Sequence, residues 1–301
     1  MDKKLVQFGA KCELARRRFF FYCNLMAPEF YKLDRQYLIE FCNDLQEFYE
    51  GDDEVLVVNM PPRHGKSRTA GLFVEWVLGK NKKEKIMTGS YNETLSTMFS
   101  KSVRNAIQEE KADTYKPVYS DVFPGVRIKY GDGAMNLWSL EGGYNNYLAT
   151  SPTGTATGFG ATLMIIDDLI KNSLEAYNQN VKENHWDWFT NTMLSRLEEG
   201  GKIIIIMTRW ASDDLAGKVL DWCKTKKKKY KHICMKAIQN EETHEMLCSE
   251  VLSYESAMDK KSAMGEDIFE ANYNQTPIDL KGCLYTSFKT YTTVPKDEKG
   301  N

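Results

Sequence analysis

"VVNMPPRHGKSRTAG" (57–71) sets an apolar run against two prolines and then Gly65-Lys66-Ser67. A phosphate-binding loop of the pattern G-x-x-x-x-G-K-[ST] places such a triplet between a buried strand and the start of a helix. Unpaired backbone N–H groups and the helix dipole attract phosphate oxygens there. The run VLVVNM (55–60) supplies the strand and SRTAGLFVEWVLGK (67–80) the helix. In that setting Lys66 reaches the β- and γ-phosphates of a nucleotide and the Ser67 hydroxyl binds Mg²⁺. The first glycine of the pattern is missing, for Met60 stands in its place, followed by Pro61, Pro62 and Arg63. A chance G-K-S is the competing reading, and three residues alone do not exclude it.

The rest of the chain supplies the context. Further continuous apolar runs fall at KIMTGSY (85–91), TLMIIDD (162–168), KIIIIMT (202–208) and, more weakly, HICMKAI (232–238). Continuous rather than alternating runs mark strands covered on both faces. Helical patterns lie between several of them, at 67–80, 93–111 and 176–199. Strand and helix in repeated alternation predict an α/β fold with a doubly wound, mostly parallel sheet. Two helical stretches precede it, within residues 11–27 and 35–51; in the second, Leu38, Phe41, Leu45 and Phe48 recur at helical spacing. A hairpin is predicted over 135–151, interrupting the pattern before the strand at 162–168.

Composition narrows the classes. A formal charge of −2 over 301 residues makes any contact with DNA a matter of a local basic patch. The run KTKKKKYK (224–231) is one candidate, though such runs are most often a solvated face. Seven cysteines with no C-x-x-C spacing point to reduced thiols in a cytoplasm and away from structural zinc. No stretch approaches the ~20 apolar residues of a membrane span, and no N-terminal segment reads as a signal peptide. A soluble intracellular protein is expected.

The second half of a nucleotide site is LMIIDD (163–168). Four apolar residues lead into paired carboxylates at the C-terminal end of a strand, where ligands bind in open α/β sheets. Asp167 is placed to hold Mg²⁺ and its water, and Asp168 to orient and deprotonate the attacking water, one methylene shorter than the more usual Glu. Glu175 is next in line for that role. A helix N-cap is the bland reading of the same pair. Dinucleotide binding and a small GTPase find no support, because neither G-x-G-x-x-G after a strand nor N-K-x-D is present.

Four stretches taken together, NMPPRHGKS (59–67), GFGATLMIIDDLIKN (158–172), SRLEEGGKIIIIMTRWASDDLAGKVL (195–220) and FEANYNQTPIDLKGCLYTSF (269–288), resemble the large terminase subunit of tailed bacteriophages. The resemblance covers roughly residues 30–290 in the family's order. It implies a P-loop NTPase of the ASCE/RecA-like kind with a small helical lid subdomain, and an ATP- and Mg²⁺-dependent motor that packages double-stranded DNA into procapsids. Its expected partners are viral DNA, the portal protein, the small terminase subunit and further copies of itself in a ring. No membrane partner is expected, and the expected place is the host cytoplasm, docked transiently on the procapsid. In this family the first loop glycine is often replaced, so PPRHGKS is an ordinary form.

The resemblance also implies roles. Arg63 resembles an arginine acting in cis near the γ-phosphate, where a guanidinium can spread over phosphate oxygens. Pro62, Arg63, His64, Gly65, Lys66, Ser67 and Arg68 are expected to line the nucleotide. Gln36 resembles the adenine-reading glutamine and reads equally as a surface residue. Thr208 resembles the coupling residue that senses the γ-phosphate; Trp210 reads as core, and Asp213-Asp214 as the cap of a helix from Leu215. The expected divisions are a helical segment with adenine-side residues (1–50), the ATPase core (51–215), the lid (216–280) and a linker (281–301) toward an absent nuclease domain.

Two departures stand out. Relatives often carry an arginine in the T-G-x-G-A stretch, a finger for the neighbouring subunit, where this chain has Phe159; Arg104, Arg196 and Arg209 remain as substitutes. The family continues into a ribonuclease-H-like nuclease, and this chain reads as the ATPase half, either a fragment or the product of a split gene. Two other functions stay open: a superfamily 2-type helicase or translocase, which needs a second recombinase-like domain, and a nucleotide-dependent assembly module with little turnover.

Overall fold

The structure is a computed structural model that describes residues 3–154 and 158–277. Three helices come first: α1 (Lys3–Arg17), α2 (Phe19–Met26) and α3 (Gln36–Glu50). The single helical stretch expected over 11–27 is broken at Arg18, whose backbone is extended, and Gln46 of α3 fills the gap by accepting the Phe19 N–H at 2.9 Å.

Alternation then begins with β1 (Val55–Asn59), α4 (Lys66–Lys80), β2 (Ile86–Ser90), α5 (Glu93–Gln108) and a short α6 (Tyr119–Val122). There follow β3 (Ile128–Gly133), β4 (Leu137–Leu140), β5 (Tyr147–Thr150), β6 (Ala161–Asp167), α7 (Ser173–Ala176) and α8 (Gln179–Asp187). The last runs on through a π turn, Trp188–Met193, and a 3-10 turn, Leu194–Arg196. Next come β7 (Leu197–Met207), α9 (Leu215–Lys226) and β8 (Tyr230–Cys234). A small C-terminal layer closes the described chain, with β9 (Ile238–Asn240), β10 (Glu245–Met246), α10 (Tyr254–Met264) and α11 (Glu266–Asn272).

Eight strands form one sheet in the order β3-β4-β5-β2-β6-β7-β1-β8, and from β5 to β8 every neighbouring pair is parallel. The hairpin expected over 135–151 is β4–β5, but β5 also pairs parallel with β2, so the hairpin extends the main sheet. Continuous apolar runs follow from burial on both faces. Leu56, Val58, Leu163, Ile165, Ile204 and Ile206 pack toward α2, α3 and α4, while Val55, Val57, Met164, Ile166, Ile203 and Ile205 pack toward α8 and α9. The chain is thus an α/β protein with a doubly wound, mostly parallel sheet.

Two expectations change. The run 232–238 is not one strand: β8 ends at Cys234, opposite the end of its partner β1 at Asn59, where Met235 N–H makes the last rung to the Asn59 carbonyl at 2.9 Å before β9 begins at Ile238. The small layer does not start at 216, since α9 packs on the sheet and β8 pairs with β1; the separate apolar cluster begins at Ala237. The lysine run is mostly a solvated face, as its composition suggested, with Lys228 paired to Glu54 (2.5 Å) and Lys231 to Asp44 (2.6 Å). Residues 281–301, the expected linker, lie outside the described residues. No helix among the described residues is long and apolar enough to cross a membrane.

Helix α4 carries the loop's lysine at one end and a buried acid, Glu75, near the other. Glu75 accepts the Tyr22 hydroxyl at 2.6 Å, and burial pushes its carboxyl up to about 8 from 4.5. The folded chain therefore keeps a proton that the unfolded chain releases, so this contribution is full below the unfolded value and is lost as pH rises through the folded one. Stability is expected to fall between pH 5 and 8, and Glu75→Gln to flatten the fall by ~1.4 kcal/mol per pH unit inside that window. Urea unfolding at both pH values checks this; parallel profiles for the two proteins refute it.

Candidate nucleotide site

Beyond Asn59 the chain does not turn on a glycine. Met60 is fully buried in the core cluster, and Pro61 is buried beside it, so the loop opens inside packed structure. Arg63 (φ 69°) and Gly65 (φ 94°) both adopt left-handed backbone, and that pair of turns brings Lys66 to the first position of α4. Only glycine fits at 65, since a Cβ would stand 2.6 Å from the Phe30 ring. His64 is buried; its Nδ1 donates to the Pro62 carbonyl at 2.9 Å, and burial holds the imidazole below its ordinary pKa. Arg63 is exposed at the loop's rim.

Parallel order now brings the acids to this loop. The C-terminal ends of β6 and β7 lie beside that of β1, with β7 between the loop strand and the acid strand. Lys66 Nζ pairs with Asp168 Oδ2 at 3.0 Å and donates to Thr208 Oγ1 at 3.0 Å. The Thr208 N–H in turn donates to Asp168 Oδ1 at 2.9 Å. Asp168 sits one residue past β6 at φ 38°, a left-handed turn that aims its carboxylate across the strand ends. Asp167 stands close enough to the Ser67 hydroxyl for its charged form to be favoured. Its carboxyl is raised above the usual range, first by burial and next by the Asp168 charge, while Ser67 and Lys66 pull the other way. Its Oδ1 is buried without a partner. An orphaned carboxylate oxygen beside a serine hydroxyl is the hard-oxygen donor set that suits Mg²⁺.

Ser67, Lys66, Asp167, Asp168 and Thr208, picked from sequence, therefore converge. Gln36 does not join them by any contact: it is exposed and bonds Glu40 one turn on at 3.0 Å, although its neighbour Tyr37 packs on His64 with ring centroids 5.9 Å apart. Arg68 points to Glu29 (2.8 Å) and covers the Phe30 ring. Asp214 caps α9 as expected, accepting the Gly217 N–H.

The finger substitutes are mostly engaged. Arg209 is turned onto Asp214 (3.0 Å) and the Ala211 and Ser212 carbonyls, and Arg104 onto the Gly133 and Ala134 carbonyls of the β3–β4 turn. Arg196 stands just before β7, at the opposite end of the sheet from Asp167. Phe159 is core, packed with Trp188 and Phe189. Glu175 caps its own turn by accepting the Lys171 N–H at 2.9 Å.

Two participants had no role assigned from sequence. Asn59 is fully buried and ties three strands, donating to the Met207 carbonyl at 3.0 Å and meeting His232 Nε2 at 2.8 Å. Gln275 accepts the Arg209 N–H at 3.0 Å. Both depend on long-range pairing, and their types, amides in or near turns, give no periodic signal.

Residues 57–280 match the family described as terminase large subunit, T4likevirus-type, N-terminal. The fold is similar to that in the crystal structure of the HK97 bacteriophage large terminase, with a TM-score of 0.54 and 16% identity, over 81% of this chain and 50% of that one. The chain thus spans half the length of that relative. No curated protein matches it.

Gly65→Ala adds a Cβ both to a left-handed position and against Phe30. It is expected to cost ~1–3 kcal/mol in denaturant unfolding. Phe30→Leu in the same chain should recover only the contact part of that loss; full recovery, or no loss at all, contradicts the geometry.

Proposed function

Because the chain belongs to the large terminase subunit family, in its N-terminal part, we propose that it is the ATP-hydrolysing motor domain that drives double-stranded viral DNA into procapsids. The observation that supports this most is the Lys66 ammonium held between Asp168 and Thr208 at the head of α4. A lysine that leads a helix and is paired to an acid at a neighbouring strand end suits a phosphate that arrives with its own negative charge.

In this reading the γ-phosphate competes with Asp168 for Lys66, as Lys66 Nζ and Asp168 Oδ2 lie 3.0 Å apart. Once Lys66 turns to the phosphate, the Asp168 carboxylate is released to take a proton from the attacking water, still oriented by the Thr208 N–H. Ser67 and Asp167 would hold Mg²⁺, which supplies charge neutralisation at the phosphates when bound. Arg63, exposed at the rim, would add a second cation at the γ-phosphate, and Gln36 would read the base from the start of α3. Residues from Ala237 onward would act as the lid. Portal protein, small terminase subunit, DNA and further copies of the chain in a ring are the proposed partners, on the procapsid in the host cytoplasm.

The test is ATP turnover together with a separate measure of nucleotide binding. Lys66→Ala is expected to lose hydrolysis and most affinity. Asp168→Asn should keep binding and lose turnover by about 10²-fold or more, as removal of a general base usually does. Normal hydrolysis by Lys66→Ala overturns the loop assignment; wild-type binding without turnover favours an assembly module instead.

A further inference from the structure

The C-terminal layer reaches the residue after Thr208 through the Gln275 side chain. Its own apolar cluster (Ala237, Ile238, Leu252, Ala257 and Phe269) is separate from those on the two faces of the sheet. The turn after α11 is stiff: Tyr273 stacks on Phe269 with centroids 4.8 Å apart, Asn274 bonds Glu270 at 2.9 Å, and Thr276 N–H bonds the Glu270 carbonyl at 2.9 Å. From this turn Gln275, 5% exposed and held at φ 55°, reaches out of the layer. Its Nε2 donates to the Asn272 carbonyl at 2.6 Å, inside the layer, and its Oε1 accepts the Arg209 N–H at 3.0 Å, outside it.

The geometry points to Gln275 as a positioning residue for ATP hydrolysis, one that sets Thr208, and through it Asp168 and Lys66, according to the position of the C-terminal layer. The Arg209 N–H belongs to the peptide plane that starts at the Thr208 carbonyl carbon, so an acceptor fixed on that N–H fixes ψ of Thr208. One Cα away, the Thr208 N–H orients Asp168 (2.9 Å) and its hydroxyl accepts Lys66 (3.0 Å). The Arg209 side chain cannot take over this duty, being committed to Asp214 and two carbonyls of its own loop. Because the layer is also joined to the turn before α3, through Glu250 to Lys32 and Arg35 at 2.8 Å each, its position responds to the wall beside the phosphate loop. A shift of the layer thus reaches the water-activating carboxylate through two hydrogen bonds and one peptide plane.

The inference rests on the ATPase reading above, and its test separates the two. Gln275→Met keeps the length and loses both polar atoms, whereas Gln275→Glu keeps an acceptor for the Arg209 N–H and loses the donor to Asn272. Three measurements are made on the whole chain: kcat, nucleotide Kd, and amide hydrogen exchange over segments 207–212 and 254–272. Gln275→Met is expected to lower kcat about tenfold, the effect of one lost buried hydrogen bond, with Kd changed less than about twofold. Exchange should rise over 207–212 and stay unchanged over 254–272, which also shows that the layer remains folded. Gln275→Glu should return most of both losses. Wild-type kcat and exchange in Gln275→Met overturn the inference, and so does equal damage by Met and Glu, which assigns the effect to the bond with Asn272. If the wild type hydrolyses no ATP, the ATPase reading fails, while exchange at 207–212 still decides whether Gln275 holds the Thr208–Arg209 peptide.

Discussion

One ammonium group closes the ends of three strands. Lys66 leads α4 from β1, Asp168 follows β6, Thr208 follows β7, and the 3.0 Å contacts among them meet at Nζ. At an 8% exposed side chain, the charge is sustained by Asp168 and by the hydroxyl. Breaking one partner of a buried pair leaves the other uncompensated, so these residues act as a unit. The rest of the molecule reads as the means of bringing that unit together: parallel strands give a common end, and packing on both faces fixes their register.

The sheet was legible because its signal is local. Five of six parallel strands show as continuous apolar runs, and the intervening helices as 3.6-residue patterns. Strand ends were less so. HICMKAI reads as one strand, but its pairing stops at Cys234 because the partner strand β1, more than 170 residues away in sequence, ends at Asn59. The break at Arg18 likewise depends on Gln46 of another helix. Helix propensity over 11–27 says nothing of it.

Site residues divide in the same way. Lys66, Ser67, Asp167 and Asp168 were recognisable because loop and acid pair each sit at a strand end, a position readable from the chain alone. Thr208 came from resemblance. The arginines were hardest, for a guanidinium's partner is a matter of tertiary placement. Arg209, next to Thr208, serves its own loop, and Phe159, where an arginine is common, fills the core. Asn59 and Gln275 both lie in stretches that carry the resemblance, but the motif gives neither a role; their roles arise only where two distant segments meet.

For the proposed function, Met60 in the place of a loop glycine bears on how a nucleotide would enter and leave. A glycine there would let the loop swing as a hinged flap. A fully buried methionine followed by two prolines, with Phe30 against Gly65 from the other side, makes it a fixed shelf. The wall on the C-terminal side is joined partly by packing, through Leu247 and Cys248, and partly by charge, where half-exposed Glu250 meets Lys32 and Arg35. Such pairs weaken with ionic strength. On the proposed reading, the C-terminal side of this site is then held in part by an electrostatic clasp, which salt weakens.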